Sequence, residues 1–268
     1  MAEITAKMVN ELRAKTGQGM MECKKALAEV AGDMEKAVEY FRKKGVKASL
    51  AERTAGEGRV FGAVSDDKKS AALIELNCNT DFTAKSEPFK ALGEKAARAL
   101  LKNPTGALAS DSDVAAGVTQ LAQTTGENIR IGKTAQLTGE RAGVYLYGIT
   151  GKIGVIMSFT GNPSDETITD LGGHVAFSKP LALTREGINP ELVEKERALA
   201  VEQAKASGKP EAIAVKIAEG KLNAFFKEQT LLDQDFFNAQ KFKGSIQQML
   251  KQGNVTLVKY VRIEVGQG

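Results

Sequence analysis

Residues 59–78, RVFGAVSDDKKSAALIELNC, decide the fold class of this 268-residue chain. The two runs 59–65 and 71–78 are rich in residues that favour β-strands. The polar tetrad at 66–69 lies between them and predicts a turn. The stretch therefore predicts two successive antiparallel strands.

Two helices and a further strand are predicted after these strands. The first helix begins near Ser86 and has Pro88 in its first turn, where proline is favoured. The second helix follows Asp113 and ends near Gly126, and residues 129–137 then alternate as a strand does. The order β-β-α-α-β predicts a three-stranded antiparallel sheet with helices.

The second half of the chain repeats this order. A hairpin is predicted at 144–150 and 153–160, and a helix follows at about 165–175. A short helix at 245–250 and a final strand at 255–265 complete the order. A period of about 80–90 residues is too long for a solenoid repeat and indicates duplication of a subdomain. We therefore predict an α+β protein with two related core subdomains, at 56–140 and 141–268.

An insertion at about 180–230 interrupts the second subdomain. Residues 190–207 and 211–227 have helical patterns with apolar positions that include Leu199 and Ile213, and Gly208-Lys209-Pro210 separates them. This arrangement predicts an antiparallel helical hairpin. The hairpin has two interpretations: it packs on its own domain, or it projects as an arm towards a partner. Its many charges favour the arm.

Residues 1–55 predict a separate module of three short helices. Thr5 and Asp33 are candidate N-caps for the first and third helix, and glycines end the helices at Gly17, Gly32 and Gly45. The pattern resembles the ubiquitin-associated type of three-helix module. The polar stretch 48–58 is a candidate tether to the rest of the chain.

The composition argues against nucleic acid as a partner. With 37 basic and 33 acidic residues, the net charge is +4, which is too mild to indicate nucleic-acid binding. Aromatic residues make up 6% of the chain and tryptophan is absent, which disfavours a surface that stacks on bases. We therefore expect no direct contact with nucleic acid.

The sequence also argues against a membrane or secreted location. The longest apolar runs, such as 153–159, are far shorter than a membrane span. Residues 1–17 carry a charge every few positions, so we expect no signal peptide. Cys23 and Cys78 are too few for a disulfide framework and are predicted to be buried thiols of a cytoplasmic protein.

Recognisable catalytic motifs are missing. Residues 126–134, GENIRIGKT, end like a phosphate-binding loop, but five residues precede GK where that motif has four, and the stretch alternates as a strand. His174 is the only histidine and is predicted to be structural. We therefore predict a binding protein without catalytic residues, metal or cofactor. A carboxylate pair leaves no motif, so a small-molecule enzyme stays open as an alternative.

Two stretches carry a specific resemblance to a known family. Residues 12–25, LRAKTGQGMMECKK, and 77–85, NCNTDFTAK, closely resemble the elongation factor Ts family, and 126–131 (GENIRI) and 261–268 (VRIEVGQG) are similar to it. Members are guanine-nucleotide exchange factors for elongation factor Tu. The resemblance covers nearly the whole chain and implies the same three-part architecture, with elongation factor Tu, GDP-bound or nucleotide-free, as partner.

The resemblance implies a central role for Thr80, Asp81, Phe82 and Thr83, which we call the TDF segment. In the family this segment presses between two helices of the partner's GTPase domain and disturbs the magnesium and phosphate site. On residues alone, Phe82 is either a core aromatic just past a strand or an exposed ring in a polar loop. Thr83 replaces the usual valine and adds a hydroxyl, and the loop shape is expected to survive.

The resemblance implies further partner contacts. In the N-terminal module they are Arg13, Met20, Met21 and Lys24, although the two methionines fit a core position equally well. In the core they are Thr125 and Gly126 near the TDF segment, Tyr147 where many relatives carry histidine, and Phe237 with Asn238. The tyrosine cannot become a cation, and DQDFFNAQ around Phe237 departs from the commoner pattern. A homodimer or heterotetramer stays open.

A different class of function competes with the exchange factor. The N-terminal module could serve as a protein-binding adaptor attached to an inert second domain. The adaptor predicts partner binding without any effect on GDP release, whereas the exchange factor predicts faster release.

Overall fold

The computed structural model describes residues 4–16, 18–43, 55–103, 108, 111–206 and 210–267. It is an α+β structure in which two three-stranded antiparallel sheets follow an N-terminal group of helices. The predicted fold class is therefore confirmed. The division of the chain at residues 55 and 140 stays a prediction.

Three helices pack together at the N-terminus: α1 (Ala6–Thr16), α2 (Met20–Glu29) and α3 (Met34–Lys43). Both predicted N-caps are confirmed, since Thr5 Oγ1 accepts from the Met8 amide at 3.3 Å and Asp33 Oδ1 from the Lys36 amide at 3.1 Å. Gly32, with φ of 86°, closes the turn after α2. Gly17, Gly45 and most of the predicted tether lie outside the described residues.

The first sheet has the order β1 (Glu57–Val64), β2 (Ser70–Cys78) and β3 (Arg130–Thr138). Between β2 and β3 lie α4 (Asp81–Lys85), α5 (Glu87–Lys102) and α6 (Ser112–Thr125). The helix predicted to begin near Ser86 is confirmed as α5, with Ser86 as its N-cap residue. The helix predicted after Asp113 begins one residue before it, at Ser112, because Asp111 is the cap.

The second sheet has the order β4 (Arg141–Leu146), β5 (Ile153–Thr160) and β6 (Thr256–Glu264). The helices α7 (Asp165–Ser178) and α10 (Ile246–Gln252) lie between β5 and β6 in the chain. The strand predicted at 144–150 is wrong beyond Leu146. From there the chain turns, and the Gly151 amide donates to the Tyr147 carbonyl at 2.8 Å.

Each sheet packs against a helix on one face and against the other sheet on the opposite face. On β2, Ile74 and Leu76 point towards α5, whereas Leu73 points towards the second sheet and packs in a cluster with Ile156 and Ile263. The outer face of the second sheet packs against α7. The resulting four layers run α, β, β, α, with each sheet between a helix and the other sheet.

The two helices that cover the sheets each approach a strand through a glycine. A Cβ added at Gly93 of α5 would lie 2.2 Å from the Phe61 ring of β1, and one at Gly172 of α7 would lie 2.3 Å from Tyr145 Cβ of β4. Phe61 and Tyr145 are each the fifth residue of their strand. This equivalence supports the predicted duplication with a shared packing detail.

The inserted hairpin consists of α8 (Pro190–Ala206) and α9 (Glu211–Gln229), which pack against each other as predicted. Its seam is made of alanines, namely Ala200, Ala204, Ala214 and Ala218. Leu199 and Ile213, two of the apolar positions in the helical patterns, are exposed and lie outside this seam. Small seam residues let the helices approach closely. Because the two helices fill their own seam, the hairpin fits the projecting arm better.

The part of the chain described above contains no helix with the length and apolar character that crossing a membrane requires.

Candidate functional site

The TDF segment belongs to a helix, where the sequence predicted a polar loop. Thr80 is the N-cap of α4, and its Oγ1 accepts from the Thr83 amide at 3.3 Å. Asp81 and Lys85, four residues apart, pair at 2.6 Å on the surface of this helix. The five-residue helix presents its second residue, Phe82, to solvent.

Phe82 has an 83% exposed side chain, whereas its neighbour Ala84 is buried against the α5 side of the first sheet. The interpretation of Phe82 as an ordinary core aromatic is therefore wrong. An aromatic ring held outside the core contributes little to folding and is available for contact with another molecule.

Glu127, in the turn between α6 and β3, is the polar centre of the site. Its Oε2 accepts from the backbone amides of Asn79 at 2.9 Å and Thr80 at 3.1 Å. Its Oε1 accepts from the hydroxyls of Thr80 at 2.6 Å and Thr83 at 2.7 Å. One carboxylate thus holds the cap and the first turn of α4.

The carboxylate of Glu127 is ionised at neutral pH. Burial is the largest single influence and raises its pKa, but the hydrogen bonds from Thr80, Thr83 and Asn79 together outweigh burial. The net effect lowers the pKa of Glu127 below its usual value. Hydrogen bonds to a charged acceptor are among the stronger ones in proteins, which makes this an effective anchor.

Two further bonds tie the segment to its surroundings. Asn79 Oδ1 accepts from the Asn128 amide at 2.7 Å, and the thiol of Cys78 donates to the Thr80 carbonyl at 3.1 Å. Burial, with a smaller contribution from the Glu127 charge, raises the pKa of Cys78 to about 12. Cys78 is therefore a structural thiol and a poor nucleophile. Cys23 is also free and buried, so the prediction of buried thiols is confirmed.

Thr125 and Gly126 lie next to this site, as expected from the sequence. Thr125 is the last residue of α6, and Gly126 caps the helix with φ of 68°, a left-handed conformation that favours glycine. The chain then reaches Glu127 directly. GENIRI continues into β3, so the GKT of GENIRIGKT lies within a strand, as predicted, and not at the start of a helix as in a phosphate loop.

The residues singled out in the N-terminal module lie on α1 and α2. Met20 is 47% exposed and Met21 68% exposed, so the interpretation of both as core residues is wrong. Lys24 is exposed as well, and Arg13 is half-buried. Cys23, Ala26 and Leu27 supply the buried face of α2 instead.

Tyr147 and Phe237 lie against α7, away from the contacts that hold the TDF segment. The Tyr147 ring meets Phe177 edge-on at 5.0 Å between centroids. Phe237 is largely exposed, and its ring lies 6.0 Å from that of His174. Asn238 folds its own turn, since its Oδ1 accepts from the amides of Gln240 and Lys241. Tyr147 and Phe237 therefore share α7 as a neighbour, and Asn238 follows Phe237 in the chain.

His174 is buried and holds the loop that carries Phe237. Its Nδ1 accepts from the Phe237 amide at 3.3 Å, which leaves Nε2 to donate to Gln234 Oε1 at 2.8 Å. Burial lowers the pKa of His174, and the bond to Gln234 opposes this only in part. The neutral ring therefore has a structural role, as predicted.

Lowering the pH from about 7 to 5 is expected to destabilise the protein through His174. Its native pKa lies below the ordinary value of 6.5, so the unfolded chain binds a proton first and stability falls as pH drops through this window. His174→Gln, which has no titrating ring, should show a flatter dependence. Urea unfolding at several pH values measures this. Equal pH slopes for the two proteins would contradict the assignment.

Glu127 and Asn79 were not predicted as site residues. Glu127 lies 44 and 47 residues from Thr83 and Thr80 along the chain, and no local pattern connects them. The available signal was that both residues fall in or beside the stretches NCNTDFTAK and GENIRI, which were recognised as a whole.

Comparison with known proteins agrees with this architecture. The family model for elongation factor Ts matches residues 79–267. The elongation factor Ts of Thiobacillus denitrificans is 43% identical over 279 residues, covering 100% of this chain and 94% of the relative. The elongation factor Ts of an Azoarcus species is 43% identical over 277 residues, covering 100% of this chain and 92% of the relative. The elongation factor Ts of Streptomyces ramocissimus is 39% identical over 280 residues, covering 99% of this chain and 100% of the relative. The chain therefore belongs to the elongation factor Ts family.

Proposed function

We propose that this translation elongation factor is the guanine-nucleotide exchange factor for elongation factor Tu. It binds the GDP-bound form, destabilises the magnesium and phosphate site, and promotes GDP release so that GTP can bind. The activity breaks no covalent bond, so it requires no catalytic residue and no cofactor of this chain. It would act in the cytoplasm, where translation takes place.

The observation that carries this proposal is the exposure of Phe82 on an anchored helix. An apolar ring that is 83% exposed can enter a crevice of a partner and bury its surface there. Glu127 holds the residues on both sides of the ring through four hydrogen bonds. The backbone that carries the ring is therefore ordered before the partner arrives, which reduces the entropy lost on binding.

Exchange follows from differential binding. If the chain binds nucleotide-free elongation factor Tu more tightly than the GDP-bound form, it must weaken GDP binding by the same factor. Each tenfold weakening needs about 1.4 kcal/mol of binding free energy from contacts made only in the nucleotide-free state. A ring that lodges in a partner crevice and forces it open is one source of such contact, and Asp81 can add hydrogen bonds beside it.

Other residues would extend the interface. Met20, Met21, Lys24 and Arg13 would dock the N-terminal module on the GTPase domain, and Thr125 and Gly126 would lie beside the inserted ring. Tyr147, Phe237 and Asn238 would contact a second part of the partner from the α7 side. Tyr147 packs on Phe177 and Phe237 packs on His174, so α7 also holds these two rings in place.

Release of labelled GDP from elongation factor Tu tests the proposal. Adding the full chain is expected to accelerate release in proportion to its concentration until the rate saturates, because a transient complex forms. Stopped-flow fluorescence of a GDP analogue measures the rate. A chain that binds elongation factor Tu without changing the release rate would contradict the proposal and favour the adaptor.

A further inference from the structure

We propose that Glu127 is the positioning residue of the TDF segment, and that the hydroxyl of Thr83 is an additional anchor to it in this chain. The two side chains fix the direction of Phe82, so they set the maximal rate of exchange more than the affinity for the partner. This inference rests on the proposed function, since it concerns how the ring is delivered.

The helix that carries Phe82 needs an external anchor. A helix of five residues is far too short to be stable by itself in water, because nucleation costs more than its few internal bonds return. Thr80, at its start, is bonded to Glu127 through both its amide and its hydroxyl. The carboxylate therefore stabilises the first turn of α4, which is too short to be stable through its own internal hydrogen bonds.

Thr83 extends this anchor beyond the N-cap. Its hydroxyl donates to Glu127 Oε1 at 2.7 Å, and its amide donates to Thr80 Oγ1. The hydroxyl of Thr80 in turn donates to Glu127 Oε1. These three groups form a closed ring of hydrogen bonds around the first turn of α4, and such connected bonds reinforce each other. A valine at 83 would keep the β-branched shape but would open this ring.

Phe82 lies between the two anchored threonines. Its side chain is mostly in solvent, so its direction follows from the backbone of residues 80–83 rather than from packing of the ring itself. Loosening that backbone would let the ring point in several directions. The remaining interface would still bind the partner, but fewer complexes would have the ring aligned for insertion.

The test uses full-length variants of positions 127 and 83. Glu127→Gln places an amide NH₂ where an acceptor is required, and the maximal GDP release rate is expected to fall about 10-fold or more, as for lost bonds to a charged group. Thr83→Val removes one hydroxyl and should lower the rate about 2- to 10-fold. Thr83→Ser keeps the hydroxyl and should restore it. The chain concentration for half-maximal release should change less than about 2-fold in all three.

A second readout needs no partner. Opening of residues 78–83 exposes the buried Cys78 thiol, so Glu127→Gln and Thr83→Val should accelerate its alkylation in the free chain, and Thr83→Ser should not. Peptide mass spectrometry separates Cys78 from Cys23. Glu87→Gln is the matched control, since Glu87 is an exposed carboxylate paired with Lys90 near the site, and it should leave both readouts unchanged.

The outcomes separate the two proposals. If the wild-type chain does not accelerate GDP release, the proposed function fails, while Cys78 alkylation still reports on the anchor. If the wild type accelerates release but Thr83→Val and Thr83→Ser behave alike in both assays, the positioning role is overturned. It is also overturned if Glu127→Gln shifts only the half-maximal concentration. The threonine pair keeps the test decisive if Glu127→Gln does not fold.

Discussion

Phe82→Ala is expected to lower the maximal rate of GDP release from elongation factor Tu about 30-fold or more. Truncating a central aromatic anchor in a protein interface typically costs at least about 2 kcal/mol. Since about 1.4 kcal/mol corresponds to a factor of ten, this loss converts to roughly 30-fold. The loss should appear in the rate at saturation, because the ring acts where the partner's nucleotide site opens.

The same substitution should leave folding almost unchanged. The Phe82 side chain is mostly in solvent, and surface substitutions usually change stability by no more than about 0.5 kcal/mol. Val258→Ala, which truncates an exposed apolar residue of β6, serves as control and should release GDP at the wild-type rate. Equal release rates for wild type and Phe82→Ala would refute the role of the ring.

Gly93→Ala and Gly172→Ala are expected to give the largest losses of stability. In each case the new methyl group would sit within 2.2–2.3 Å of Phe61 or Tyr145, which strand neighbours hold in place. Overpacking of this kind costs typically 1–3 kcal/mol, and here we expect about 2–3 kcal/mol. For a protein of this size that lowers the melting temperature by roughly 5–10 °C.

Gly220→Ala supplies the matched control for these two variants. Gly220 lies inside α9, and a Cβ added there would have no neighbour within 4 Å. Alanine has the higher helix propensity, so this variant should gain up to about 1 kcal/mol. Thermal unfolding that shows a loss of stability for Gly93→Ala and a gain for Gly220→Ala would establish the close approach of helix and strand. A stabilising effect at Gly93 or Gly172 would contradict it.

Much of the fold could be predicted because its signals are local. The Asp-Asp-Lys-Lys turn, the caps Thr5 and Asp33, and the 2- and 3.6-residue periodicities each involve neighbours in the chain. Comparing the order of these elements in the two halves of the chain then predicted the repeat. The end of β4 was misplaced because residues 147–150 have β-like composition but their backbone bonds close a turn.

The candidate site was predictable only in part. The TDF segment was found as a motif, and the exposure of Phe82 agrees with a surface role. The helical state of α4 was missed because five residues are too few to show a helical periodicity, and it depends on a carboxylate more than 40 residues away in the chain. The alanine seam of the hairpin was missed for a related reason: packing distance, and not hydrophobicity, selects its residues.

Fluorescence of a Phe82→Trp variant tests the central claim most directly. The chain has no tryptophan, so the new ring is its only indole and reports on position 82 alone. After subtraction of a matched mixture of wild type and elongation factor Tu, complex formation should shift the emission to shorter wavelength and protect it from acrylamide. An indole that stays fully quenchable in a complex verified by gel filtration would contradict insertion of residue 82 into the partner.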